Sequence, residues 1–258
     1  MKKALLTAMT VLIVMTTQAQ FEITPNGNPA ELTVNVTNLY ADLEIVGTND
    51  KLIKVIALDY EGLPEKAKGL KPLSATGPDN TDLGLYIEQQ GQEIMISGAS
   101  RKSDDGEYRI ELPANIKLVI EYDSYQAGDI RVSDMSGEVE ASSKVGDMEF
   151  QNITGPLVAN SLSSDISIVF TSVSQTSPTD VSSTSGDVDV TLPESTKGNF
   201  QMKTVSGEVY TDLEFEFGEE EGRSKRWGGG MSAEATLNGG GVQINLKSIS
   251  GDIFIRKQ

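Results

Sequence analysis

A short corner motif that returns at regular intervals constrains this chain more than any other feature. It reads Gly128-Asp129-Ile130, Ser136-Gly137-Glu138-Val139, Gly146-Asp147-Met148, Thr154-Gly155-Pro156-Leu157 and Ser163-Ser164-Asp165-Ile166. It returns as Ser185-Gly186-Asp187-Val188, Ser206-Gly207-Glu208-Val209 and Ser250-Gly251-Asp252-Ile253. The first five anchors lie nine residues apart. Alternate anchors give steps of 18 to 22 residues, with the interval of 44 before Gly251 read as two coils, one degenerate near Gly229. Alternation follows each anchor, as in Ile166-Ser167-Ile168 and Val188-Asp189-Val190, and a period of two over short segments is a half-buried strand. Phe200 to Gly207 and Ile244 to Gly251 align residue for residue in this pattern.

A coil of about 20 residues at roughly 3.3 Å each closes a path of about 65 Å, room for two or three strands around a narrow apolar core. Coils stacked about 4.8 Å apart make parallel sheets. The expected fold is all-β, a right-handed parallel β-helix (solenoid) with coils of about 18–22 residues, right-handed because parallel crossovers almost always are. A β-sandwich has irregular spacing and leaves the corner motif unexplained. A propeller needs roughly 40 residues per blade. In this reading the glycines supply corners with φ > 0. Val188 stacks on Ile166 one coil before and Val209 one coil after, and the last strand is an open edge blunted by Arg256 and Lys257.

Residues 20–127 read as less regular coils and 128–258 as the regular ones, together one domain. Leu32 to Val36, Asp42 to Ile45, Ile53 to Leu58, Leu85 to Ile87, Ile94 to Ile96, Tyr108 to Leu112 and Ile116 to Tyr122 all have strand character. Gly62 to Gly84, with Pro64, Pro72 and Pro78, is an excursion from the coil. Ahead of all this, Lys2-Lys3, an apolar run from Ala4 to Met15 and the small residues up to Ala19 have the layout of a secretory signal peptide cleaved after Ala19. The run is too short to span a membrane, which takes roughly 20 residues. Export to the periplasm, cell surface or medium is expected, without a membrane span.

The chain has no Cys and no His. That removes disulfides, thiol chemistry, the Ser-His-Asp triad and nearly all zinc sites. The formal charge is −17, and loss of Lys2 and Lys3 with the leader makes the remainder more acidic still. Such a surface repels phosphate backbones, so a nucleic-acid partner is not expected. No cofactor is expected either. Most carboxylates recur once per coil, which marks them as structural, and the unique segments hold no distinctive acid pair of the kind glycoside hydrolysis needs. Asp129, Asp147, Asp165, Asp187, Glu208 and Asp252 stack as an acidic ladder. It either attracts Ca²⁺ or caps each residue's own corner; the paired-glycine spacing of calcium-binding β-rolls is absent, and no metal site is assigned. The segment Phe217–Gly230 carries the single Trp and a basic cluster. Arg223, Lys225, Arg226 and Trp227 are the candidate partner contacts, the alternative for Trp227 being a lid on the solenoid wall.

The Ser-Gly-Asp-Ile-type repeats, Ala41-Asp42-Leu43-Glu44-Ile45, Leu112-Pro113-Ala114-Asn115, and the ending from Leu237-Asn238-Gly239-Gly240-Gly241 to Ile253-Phe254-Ile255-Arg256-Lys257 together resemble a bacterial exported family of unknown function labelled "putative adhesin", common in Bacteroidetes. The resemblance covers nearly the whole chain after the leader. It implies a β-solenoid and an adhesin-like surface or envelope module that binds a glycan or a cell-surface or extracellular protein, and it brings no active-site residues. A purely structural envelope scaffold, or a polysaccharide lyase or hydrolase built on a β-helix, are the other readings.

Overall fold

The computed structural model describes residues 19–62, 64–70, 73, 77–218 and 230–258. Their strands form two sheets, of ten and of eleven strands, packed face to face. Each coil gives one strand to each sheet. Leu157–Ser161 lies in one, the corner follows, and Ile166–Phe170 lies in the other. Alternation decides which side chains meet between the sheets: Val188, Val190 and Leu192 are buried while Asp189 and Thr191 face out. One apolar core runs from Leu32 to Ile255.

The order of stacking departs from the order of the chain at both ends. Along the stack the coils run 93–113, 33–48, 117–133, 139–153, 157–170, 179–192, 243–257 and 198–211. Hence Val188 lies between Ile166 and Ile253, and Val209 sits one coil further out, paired with Ile253. This corrects the expected Val188–Val209 contact. The motifs at Gly207 and Gly251 are chemically alike, so spacing does not say which of the two stacks on the coil of Gly186. It also corrects the expected open edge. Arg256 forms a forked pair with Asp189 at 2.8 and 2.9 Å, and Lys257 reaches Glu194 at 3.1 Å, both from an internal strand.

Antiparallel strands cover the ends. Met231–Leu237 runs against Gly198–Thr204 and carries Glu216–Phe217 on its far side, so the interval expected to hold a degenerate coil holds a hairpin instead. At the other end Ile53–Asp59 covers Glu107–Pro113, Gln20–Ile23 covers Ile53–Asp59, and Leu85–Gln90 covers Glu93–Gly98. Three of the four outermost strands have two to four residues, which leaves little edge for another chain to pair with.

Three columns at the corner explain the motif. The first is glycine, and its reason is contact. Of the anchors, only Gly146 has φ > 0. A Cβ on Gly137, Gly146, Gly155, Gly186, Gly207 or Gly251 would lie 2.0 to 2.2 Å from a carbonyl oxygen of the adjacent coil. The second column is acidic. Each backbone N–H of Asp129, Asp147, Asp165, Asp187, Asp252 and Glu208 donates to the carboxylate of Asp42, Asp129, Asp147, Asp165, Asp187 and Asp252, respectively, at 2.7 to 3.2 Å. The ladder therefore caps the neighbouring coil and not its own corner, and it begins at Asp42. The third column is hydroxyl. Ser183, Ser248 and Thr204 accept from the glycine N–H three residues on, at 2.8 to 2.9 Å, and donate to the adjacent coil's carbonyl at 2.9 to 3.0 Å.

Candidate functional site

The outward face of the larger sheet carries a polar grid near the stack's second end. It follows from register. Gln243–Ser248, Gly198–Thr204 and Met231–Leu237 are adjacent, and alternate residues of each point away from the core. Three rows result: Gln243, Asn199 and Thr236; Asn245, Gln201 and Glu234; Lys247, Lys203 and Ser232. Strands lie about 4.8 Å apart and successive outward residues about 6.6 Å. Glu216–Phe217 adds a wall: Glu216 lies opposite the outward Thr236 and faces the grid, while Phe217 lies opposite the inward Ala235, half exposed at the edge, its ring tilted against Phe215, which packs edge-on against the buried Phe200. Wall and grid enclose an open groove of about 720 Å³, lined by Asn199, Gln201, Gln243, Asn245, Glu216, Glu234, Thr236, Phe217 and Gly218.

The amides are held in place. Asn245 Nδ2 donates to Asp180 at 2.5 Å and Gln201 Nε2 to Glu234 at 3.2 Å. Gln243 Nε2 donates to the Asn245 oxygen at 3.0 Å, and Asn199 Nδ2 to the Gly241 carbonyl at 2.7 Å. A side-chain amide has two donors and an acceptor with two lone pairs, so each keeps capacity toward the groove. The groove is rich in fixed donors and acceptors.

A match to a known family decides the relationship of this chain: residues 90–256, more than half of it, fit the family model described as Toastrack DUF4097. The chain belongs to the Toastrack DUF4097 family. No curated protein matches it. Among solved structures it is similar to a "putative cell adhesion protein" of Clostridium sporogenes ATCC 15579, at 17% identity over 94% of this chain and 100% of that one, with a TM-score of 0.49. It is also similar to a "putative adhesin" of Bacteroides fragilis NCTC 9343, at 10% identity over 95% of this chain and 98% of that one, with a TM-score of 0.34.

Of the residues singled out in the sequence, Arg223, Lys225, Arg226 and Trp227 lie outside the described residues of this Toastrack chain. The segment's described ends, Gly218 and Gly230, are a groove-lining residue and the neighbour of Met231, the first residue of a grid strand. Asp42, Asp129, Asp147, Asp165, Asp187 and Asp252 each give one carboxylate oxygen to a backbone N–H of the next coil. Among the described residues no cluster of three or more His, Cys, Asp or Glu is placed to hold a metal ion. No helix among them is long and apolar enough to cross a membrane.

Among the described residues one carboxyl sits above its usual range. Burial, and next Asp105, raise Asp104, against the lowering effect of the Tyr40 N–H that it accepts at 3.0 Å. That hydrogen bond fastens the turn before Asp42 and gives Asp104 a structural part. The sequence does carry one signal for the amides of the grid. Asn199-Phe200-Gln201 and Gln243-Ile244-Asn245 sit in the two segments whose inward residues align, and their outward residues align as well.

Proposed function

We propose that this chain is an exported, non-catalytic, adhesin-like binding module that recognises glycans through the groove on its polar grid. The observation that carries this reading is the register itself. It places four side-chain amides in two adjacent rows, fixes each by a hydrogen bond, and sets Glu216 beside them. Sugars present neighbouring hydroxyls that donate and accept, which matches amides. A repeating wall of small polar residues offers no comparable specificity. Removal of residues 1–19 as a signal peptide, a single domain over 20–258, right-handed winding of the coils and placement in the periplasm, cell surface or medium belong to the same proposal. They rest on the leader's layout and on the handedness of parallel crossovers. Arg223, Lys225, Arg226 and Trp227 enter it as added contacts, because their segment springs from the groove's rim at Gly218.

The test is a glycan array probed with the exported protein and with Gln201→Ala and Asn245→Ala. Binding to a sugar class that drops at least about tenfold, or 1.4 kcal/mol, in either variant with unchanged melting supports the groove. Binding unaffected by both variants places recognition elsewhere. Turnover of any polysaccharide on the array would overturn the non-catalytic reading.

A further inference from the structure

We infer that the polar grid selects anionic glycans, with Lys203 and Lys247, on the row beside the groove, receiving the carboxylate or sulfate; this deepens the glycan reading and rests on it. The two lysines are directly opposite on adjacent parallel strands, about 4.8 Å apart along the sheet. Like charges in that position repel and weaken the pairing. The chain has 38 acids against 21 bases, so neutralising partners are abundant. Several cross-strand lysines and arginines elsewhere find them, as Lys117 does with Glu138 and Glu140, Arg109 with Glu44, and Arg256 with Asp189. Among the described residues neither Lys203 nor Lys247 has an ion pair or a side-chain hydrogen bond, and both are exposed.

The nearest acids on the flanking strands are drawn away from the lysines. Asp180, one row over, accepts from Asn245, and Glu234, in the same row on the other side, accepts from Gln201. The opposite neighbours of the lysines are Ser182 and Ser232, both neutral. The result is an unneutralised pair of ammonium groups on the row next to the amides, on a surface that elsewhere is acidic. Two lysines side by side make a charged seat for one anionic group, and the adjacent amides meet the hydroxyls of the same sugar or the next. A nucleic-acid strand carries many phosphates past the seat and meets the surrounding acids; a glycan with spaced charges does not.

The experiment compares two forms of one backbone by calorimetry: oligogalacturonate and its fully methyl-esterified, uncharged form, with dextran sulfate and dextran as the sulfated pair. The parent should bind at least one anionic member about tenfold tighter than its neutral partner at low salt, and the margin should shrink as salt rises. Lys203→Gln/Lys247→Gln should abolish that preference while keeping the melting temperature. Lys66→Gln/Lys68→Gln, which removes the same charge from the excursion at 64–70, should keep it. Equal binding of charged and neutral partners by the parent would overturn the inference and leave the glycan reading standing. A preference that survives the Lys203/Lys247 change would also overturn it. If no anionic member binds, the inference fails, and the reading itself then stands or falls on the neutral glycans of the array.

Discussion

Replacing Gly186 by Ala tests whether the glycine column exists for contact or for backbone freedom. The new methyl would lie 2.1 Å from the Ser164 carbonyl oxygen and 2.3 Å from its carbon. Relief requires the two coils to part by about 1 Å at this corner, since non-bonded heavy atoms rest near 3.5 Å. Three bonds bridge the coils there: Asp187 N–H to Asp165 at 2.8 Å, Ser183 Oγ to the Ser164 carbonyl at 3.0 Å, and Ile166 N–H to the Asp187 carbonyl at 2.9 Å. Losing the charge-assisted bond and one neutral bond costs about 2–4 kcal/mol, and residual overpacking about 1 kcal/mol more. A total of about 3–5 kcal/mol is a large share of an ordinary stability of roughly 5–15 kcal/mol, and corresponds to a fall of about 10 °C in Tm for a chain of this size. Gly218, whose added Cβ meets nothing within 4 Å, is the control. Its change to Ala should stay within about 0.5 kcal/mol. Urea and thermal unfolding of both variants read the difference. A Gly186→Ala protein that melts within about 1 °C of its parent would refute the contact argument.

Deleting residues 239–258 should prevent cooperative folding, because their coil lies between 179–192 and 198–211 and its loss uncovers Val181, Val188, Phe200 and Met202 together; a deletion variant with a sharp melt would contradict the stacking order. At high pH the tyrosines report on packing: burial raises Tyr108 and Tyr122, whose hydroxyls donate to the Leu83 and Ala41 carbonyls at 2.9 and 2.8 Å. Their neutral forms are the folded ones, so this contribution to stability is complete below about pH 10 and is lost as pH rises further; phenolate absorbance from these two should appear together with loss of circular dichroism, and ionisation in a still-folded protein would count against it. Millimolar Ca²⁺ should leave the melting temperature unmoved, since each ladder aspartate has one carboxylate oxygen committed to a backbone N–H and no three acids among the described residues converge on one point; a rise of several degrees would make the ladder a cation site.

The coil was legible because its causes are local. Period-two alternation around Val188 and the Gly-Asp corner are both written within a few residues, and both recur. The order of coils was not, because Gly207 and Gly251 head equivalent motifs and nothing local distinguishes inner from outer. What settles it is the hairpin of Glu216–Phe217 and Met231–Leu237, which caps 198–204 and so sends the last coil inward. The ladder was half legible: its six recurring acids stand out, whereas Asp42 lies outside the Gly-headed motif, and the direction of its capping depends on the neighbouring coil. The groove was not legible because its rows come from strands far apart in the chain, Asn199 beside Gln243 and Gln201 beside Asn245 and Glu234.

The claim that recognition resides on the polar grid is tested most directly by titrating the ¹⁵N-labelled protein with its best array glycan and following side-chain amide and backbone signals. The shifts should concentrate on the amides of Asn199, Gln201, Gln243 and Asn245 and on the backbone of 198–204 and 243–248. Shifts confined to the acidic ladder corner or to the outer face of the other sheet, with these four side chains unmoved, would contradict it.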